Sequence, residues 1–489
     1  MKIIIQNAKD GEETAISEGF YLHSNYAPKK EAQRFVENLS LPYNPSVIII
    51  TEPALSYAAD FLRNRFPGLR IGVIRYSNYF EKYNSKFDFV LNYFEHADFE
   101  SYLEGIFTEE QILTTLFVSW TASAKAFPLE DKNVWTGIKA AMERSKTLLI
   151  TRQYFEKKWF LNSCRFIKHA SKILTFAGKI DKDILIISSG PSLIPFIDII
   201  RENQKKFFII CLSSAISLCI KNQIKPDLCM TTDGGYWAGE HLKILSRQAM
   251  PLAMPLEGYC SKALLSKLNI LPLDYGDGIS SDFVYAAKIP AKKAVRNGTV
   301  SGTALLFASN YGSRNIYLAG LDLACRKGFQ HAQPNQLEYN SSLQDNRIHT
   351  KTGRLTRSEL TNGSLDIYRN WFISNPLNTE KREIFRLMEA ADKKNDLGWI
   401  KDICSEAFNN YLSEIQDNKD FSFTNLNLQK NSDFNLESFF DDKKTEKWKK
   451  QIFPLDYVQL SHNPANLSIK EKIDNEWKQL KNKAVNILS

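Results

Sequence analysis

The feature that most constrains this chain is a set of three strand-length apolar segments between residues 183 and 235, each ending in small polar residues. They are Asp183-Ile184-Leu185-Ile186-Ile187-Ser188, Phe207-Phe208-Ile209-Ile210-Cys211-Leu212 and Pro226-Asp227-Leu228-Cys229-Met230-Thr231-Thr232. Strands covered on both faces, as in parallel sheets, read as near-continuous apolar runs of this kind. The stretches between them, 193–204 and 215–222, fit helices. A β-α-β-α-β series predicts an open, mostly parallel, Rossmann-like α/β sheet, which binds ligands outside the carboxyl ends of its strands. Those ends carry Ser189-Gly190-Pro191-Ser192, Ser213-Ser214 and Asp233-Gly234-Gly235. Residues 301–311 continue as a helix and 315–320 as a strand ending at Leu321-Asp322.

The flanking regions read differently. Strands at 46–50 and 69–74 around a helix at 55–66 predict a smaller α/β unit with parallel strands. Before it, His23 and Ser24 stand in a loop at a helix entrance, read first as solvated, with contact to a ligand bound there as the alternative. Residues 153–177 read as a helical connector, and 326–353 as a long polar loop of the kind that forms lids or binding loops. Beyond 376 the chain is mainly helical and highly charged, with 416–437 as a linker and 468–488 as an amphipathic helix. One core rarely grows past about 250–300 residues. The 489 residues therefore divide into an N-terminal α/β domain (1–155), a central ligand-binding domain (156–375) and a helical C-terminal domain (376–489).

Composition narrows the function. A net charge of +8 is too mild for a dedicated nucleic-acid binder, though compatible with a local anion site. No apolar run approaches the roughly 18 residues of a membrane-spanning helix, so no membrane insertion is expected. Met1–Asn7 lacks the apolar core of a leader peptide, and the seven cysteines show no CxxC spacing. Neither a disulfide framework nor a zinc site is expected, and the cytoplasm is the expected compartment.

Chemistry concentrates at two turns. Ser189-Gly190-Pro191-Ser192 joins a strand to a helix, where backbone amides and the helix dipole suit a phosphate. Arg296-Asn297-Gly298-Thr299-Val300-Ser301-Gly302-Thr303 opens the 301–311 helix with two capping residue types, Ser301 and Thr303, and two glycines. GxxxxGK[ST] is absent, and so is GxGxxG after a strand, which argues against a P-loop ATPase and a dinucleotide dehydrogenase. Asp181-Lys182-Asp183 has metal-pair spacing but enters a strand, at the wrong edge of the sheet. At the right edge Asp233 supplies one carboxylate, so no metal site is expected. His241, beside Glu240, reads as part of an amphipathic helix at the sheet rim.

Taken together, Ser189-Gly190-Pro191-Ser192-Leu193, Thr232-Asp233-Gly234-Gly235, Thr299–Thr303 and Ala319-Gly320-Leu321-Asp322 resemble the motility accessory factor (Maf) glycosyltransferases over about residues 160–375. The Gly-Pro-Ser-Leu element, Thr299-x-Ser301-Gly302 before its helix and Ile316–Asp322 are also similar to bacterial sialyltransferases that use CMP-sialic acid. The resemblance implies an inverting, metal-independent transferase needing no cofactor. It would move a nonulosonic acid of the pseudaminic or legionaminic type from its CMP conjugate to Ser or Thr of flagellin, for flagellum assembly and motility. On that resemblance Gly190, Pro191 and Ser192 cradle the donor phosphate. Ser213, Asp233, Thr299, Ser301 and Gly302 contact cytosine or ribose, and Asp322 lies nearer the sugar. A hydroxyl nucleophile needs a base. His331 is the leading candidate and His349, on the same loop, the second. The sialyltransferases place phosphate-binding tyrosines soon after their Gly-x-Asp, whereas Leu323-Ala324-Cys325 follow Asp322 here and the next tyrosine is Tyr339. Arg326, Lys327 or the helix start would then serve the phosphate. Two alternatives remain: a pterin diphosphokinase, because archaeal enzymes with that activity have a similar central domain, and a non-catalytic flagellin-binding protein.

Overall fold

Val47-Ile48-Ile49-Ile50 is apolar on both faces, and in the computed structural model it is the buried centre of a parallel sheet. The structure describes residues 3–488 apart from 97, 326–328, 361–362, 378–381, 416–420, 428–439 and 441. Contacts divide the chain into two compact units, Met1–Glu156 with Thr445–Leu480 and Lys157–Lys444 with Lys481–Ser489. The chain passes from the first to the second within the helix Pro128–His169.

The first unit begins with an antiparallel ribbon of β1 (Ile3–Asn7), β2 (Glu13–Ser17) and β3 (Phe20–Tyr21). Its parallel sheet contains β4 (Val47–Thr51), β5 (Arg70–Arg75), β6 (Phe89–Asn92) and β7 (Thr115–Ser119) in the order β6-β5-β4-β7. The strands expected at 46–50 and 69–74 are β4 and β5. His23 is a core residue, not a loop ligand. Its Nε2 accepts the Leu55 amide at 3.1 Å, and its ring packs 5.2 Å from Tyr57 and 5.1 Å from Trp120. Ser24 is also engaged locally, its hydroxyl accepting the amides of Tyr26 and Ala27.

The second unit is built on a large sheet. Its strands are β8 (Lys172–Thr175), β9 (Asp183–Ile187), β10 (Phe207–Leu212), β11 (Leu228–Met230), β12 (Leu252–Pro255), β13 (Asn269–Asp274), β14 (Lys292–Lys293), β15 (Ile316–Ala319), β16 (Ile384–Leu387), β17 (Lys401–Ile403) and β18 (Thr424–Asn427). The order is β17-β16-β15-β9-β10-β11-β12-β13-β8-β18, with β14 paired to β13. All pairings are parallel except β18 with β8. Ile184, Ile186, Phe208, Ile210, Leu318 and Phe307 belong to one buried cluster, so the apolar runs are strands covered by helices as their composition requires.

Three expectations are adjusted. The stretch 193–204 is not one helix: Pro191–Phe196 is 3₁₀ and Ile197–Asn203 is α-helical. Pro195 lacks the N–H that an α-helix interior would use. The boundary at 375 falls inside the second unit, because β16 and β17 extend its sheet. The C-terminal region is otherwise mainly helical, with Ser405–Glu414, Asp442–Ile452, Pro454–His462 and Leu467–Leu488. Finally, the 416–437 linker supplies the edge strand β18, and Phe421 and Phe423 pack against Phe176 and Phe208.

Candidate functional site

The strand order of the second unit reverses at β9. From there the chain runs outward to β10, β11, β12 and β13 on one side, and it returns on the other side as β15. Crossovers on either side of such a point diverge and leave a crevice outside the carboxyl ends. A cleft of about 200 Å³ lies there, lined by Ser188–Gly190 after β9, Leu212 and Ser214 after β10, and 320–324 after β15. Thr299, Val300 and Ser301 at the start of the helix Val300–Tyr311 close one side. Gln330, His331, Leu365 and Tyr368 complete the lining.

Two glycines make this meeting of backbones possible. A Cβ on Gly190 would stand 2.5 Å from both the Asp322 carboxylate and the Gly320 carbonyl. Gly320 has φ +70°, and a Cβ there would stand 2.5 Å from the Ser188 carbonyl. The Gly190 amide donates to Gly320 O at 2.8 Å, stitching the two strand ends together.

Asp322 occupies the turn that the sequence assigns to a phosphate. Its carboxylate accepts the Ser192 amide at 3.0 Å and the Ser192 hydroxyl. Ser192 is fully buried and Pro191 is buried, and neither is among the residues lining the cleft. The Gly-Pro-Ser element thus holds a protein carboxylate. Asp322 is in turn fixed from behind, because Asn395 Nδ2 donates to Asp322 O at 2.8 Å. Asn395 is held by Arg386, a fully buried guanidinium that also pairs with Asp402 at 2.6 and 2.9 Å. Burial works against charge on Asp402, but the Arg386 and Lys393 cations overcome it and hold the carboxyl below its ordinary range.

The second turn opens its helix earlier than expected: Ser301 and Thr303 lie inside Val300–Tyr311, and Thr299 is the cap. Thr299 caps the helix, its Oγ1 accepting the Gly302 amide at 2.9 Å and the Ser301 hydroxyl at 3.1 Å. Arg296 anchors the approach. It pairs with Glu257 and Asp277 and lies 4.4 Å from the Tyr275 ring centroid and 5.7 Å from that of Trp159.

His331 reaches the cleft from a loop pinned to two strand ends. The Ala332 amide donates to Ser189 O at 2.6 Å, and Asn335 Nδ2 donates to Ser214 O at 2.9 Å. Asn335 also caps the short helix Gln336–Ser342. From that helix, the buried Glu338 accepts the Gln330 and His331 amides, each at 3.1 Å. Glu338 Oε1 stands 3.7 Å from His331 Nδ1. Burial opposes charge on Glu338, yet the His331 bonds hold it below the usual carboxylate range. Next to it His241, on the helix Tyr236–Leu242, is depressed to about 4 by burial and by the nearby His331.

Of the expected residues, Gly190, Thr299, Ser301, Asp322 and His331 line the cleft. Pro191, Ser192, Ser213, Asp233 and Gly302 do not. Ser214 takes the position expected of Ser213, and Asp233 is exposed, its carboxylate accepting the Gly235 amide at 2.8 Å. His349 is exposed in a turn closed by Asn346, away from the lining. Arg326 and Lys327 lie outside the described residues. Among the described lining residues Asp322 is the one carboxylate, and no Lys or Arg contributes.

Sequence reasoning missed Tyr368, Arg386, Asn395 and Glu338. Glu338 had a signal: Asn335-Gln336-Leu337-Glu338 has the Asn-x-x-Glu spacing of a helix start. The others are remote in sequence, and no local pattern marks them.

Residues 158–328 match the family described as "6-hydroxymethylpterin diphosphokinase MptE-like". A protein of Treponema pallidum (strain Nichols), described as "Uncharacterized protein", is 30% identical over 280 residues, 56% of this chain and 61% of that protein. The match thus spans about three fifths of that relative's length. A Maf glycosyltransferase from Magnetospirillum magneticum AMB-1 is similar in structure, with a TM-score of 0.54 at 12% identity over 100% of this chain and 91% of that one. The chain is similar in fold to a Maf glycosyltransferase, and the segment that matches the family model, 158–328, contributes most of the cleft lining.

Proposed function

We propose that this chain is a glycosyltransferase that moves a nonulosonic acid from a CMP conjugate to Ser or Thr of flagellin, in the cytoplasm. The observation that carries the reading is the cleft at the β9/β15 reversal, where a helix start, a buttressed Asp322 and a carboxylate-paired His331 converge in a Maf glycosyltransferase fold. In this reading His331 takes the proton of the acceptor hydroxyl as its oxygen bonds to the anomeric carbon. The bond from that carbon to the CMP oxygen breaks, and CMP leaves with the electron pair. Thr299 and Ser301, with the start of their helix, stabilise the departing phosphate. Tyr368 supplies the phenol absent from the sequence after Asp322. Flagellin is the acceptor on the strength of the Maf resemblance, and acceptance before export fits cytoplasmic action. No described helix is long and apolar enough to cross a membrane.

A second reading, pterin diphosphokinase, is favoured by the match over 158–328. Pyrophosphoryl transfer from ATP calls for Mg²⁺ ligands and several cations around the phosphates. Asp322 is the one carboxylate of the described lining, fewer than a Mg²⁺ site for that reaction asks.

Calorimetry separates the two. CMP is expected to bind in EDTA, and binding of ATP alone, with Mg²⁺ required, would replace the first reading by the second. Deleting the gene is expected to remove a sugar mass from each modified flagellin Ser or Thr, and an unchanged flagellin mass overturns the acceptor assignment.

A further inference from the structure

We propose that Glu338 is the positioning residue for His331: it fixes the loop that carries the histidine, turns its Nδ1 edge away from the cleft and stabilises the charge that the ring acquires. This rests on the reading of His331 as the base. One oxygen of Glu338 does two things. Oε1 accepts the backbone amides of Gln330 and His331 at 3.1 Å each, and it also faces Nδ1 of the same histidine at 3.7 Å. Main chain and ring are therefore referred to a single atom, which is 7% exposed as part of its residue and sits on a helix capped by Asn335. With Nδ1 facing Glu338, the nitrogen on the other edge of the ring, Nε2, is the one left to serve the cleft.

The carboxylate is itself held. Its Oε2 stands 3.8 Å from Arg354 Nη1, and Arg354 is clamped by Asp345 through two bonds of 2.9 Å. Among the described residues, few ionisable groups surround the ring. Glu338 faces it from helix Gln336–Ser342, with Arg354 behind, from helix Lys351–Leu360. His241 faces it from helix Tyr236–Leu242, with Asp233 and Glu240 around His241. Asp322 shares the cleft lining. Burial keeps His241 neutral near pH 7, so it neither competes for the proton nor adds a second positive charge. When Nε2 accepts the hydroxyl proton, the positive ring keeps a carboxylate at its Nδ1–H edge. This is the base-and-orienter geometry expected of a general base.

Glu338→Gln tests this, because the amide retains an oxygen for the two backbone donors and removes the charge. The titration of His331 is followed by NMR in the ligand-free full chain, its signal assigned by loss in His331→Ala. Removal of the charge beside Nδ1 is expected to lower the His331 midpoint relative to the wild type, and an unchanged midpoint overturns the proposal. With a CMP-sugar donor and flagellin, Glu338→Gln is expected to lower kcat roughly tenfold or more while KM for the donor stays within about twofold. The acid limb of the kcat/KM profile moves to lower pH with it. A residue that only supported the loop would lower the melting temperature and leave both the midpoint and the limb in place. Arg354→Gln provides a variant of opposite sign: it frees Glu338 from a competing cation and is expected to raise the midpoint. No rise there counts against the proposal even if Glu338→Gln does not fold. The base reading is tested separately by turnover of His331→Ala: normal turnover ends that reading, while the NMR titration still reports on the Glu338–His331 pair.

Discussion

Gly190 has an ordinary φ of −65°, so its requirement is space and not backbone conformation. Both neighbours of its missing Cβ, the Asp322 carboxylate and the Gly320 carbonyl, are themselves fixed by hydrogen bonds and cannot retreat separately. Gly190→Ala is therefore expected to cost about 1–3 kcal/mol in overpacking. It should also move Asp322 into the cleft and weaken CMP binding in calorimetry at least tenfold. A variant with wild-type melting temperature and affinity would show that the two strand ends are looser than their bonds imply. Ser192 shows why residue type alone misleads at this scale. A serine after Gly-Pro at a helix entrance suits an anion. The anion it meets is Asp322, which follows a distant strand.

Among the elements, β16 does the most that its own sequence does not announce. Ile384, Phe385 and Leu387 bury it between β15 and β17, and Arg386 is the charged exception, fully buried against Asp402 and Asn395. Through Asn395 this element sets the backbone at Asp322 and Leu323. Removing one partner of a buried pair typically costs about 3–5 kcal/mol, because the other is left uncompensated. Arg386→Met is expected to lose that much at pH 7. Asp402 is held below its ordinary range in the folded chain, so the stability from its charge is complete above the unfolded value of about 3.9. It fades as pH falls through the lower folded value. The gap between Arg386→Met and the wild type in urea unfolding should therefore narrow below about pH 4, and a gap constant from pH 7 to pH 3 would contradict the pairing.

At the scale of the whole molecule, the two compact units are not continuous in sequence. The first combines Met1–Glu156 with Thr445–Leu480, and from the latter segment Trp448, Ile452 and Phe453 are each fully buried. Leu113 and Leu149 share a buried cluster with Val458. A piece of 1–156 alone is expected to expose that surface, bind a hydrophobic dye and lack a cooperative thermal transition. A sharp transition without dye binding would mean that its core closes without the later helices. The sequence divides the chain at 155 and 375. The long helix Pro128–His169 spans the first point, and at the second polar residues interrupt the chain while the sheet continues beyond it.

By itself the sequence determined the strands β4, β5, β9, β10, β11 and β15 and their burial. Apolar runs such as 184–187 and 207–212 can be buried on both faces only in a covered parallel sheet. The start of the 300–311 helix was legible only approximately: Ser301 and Thr303 read as the capping types, and Thr299 is the cap. Tertiary structure alone decided which residues share the cleft. Tyr368 reaches it from a later helix, and Glu338 reaches back to the His331 loop. Asp322 fills the turn that looked like a phosphate cradle, and Arg386 and Asn395 hold it there. Local sequence encodes periodicity, caps and turns, which depend on near neighbours. The pairing of a buried charge with its partner depends on strand order, and only the folded sheet sets that.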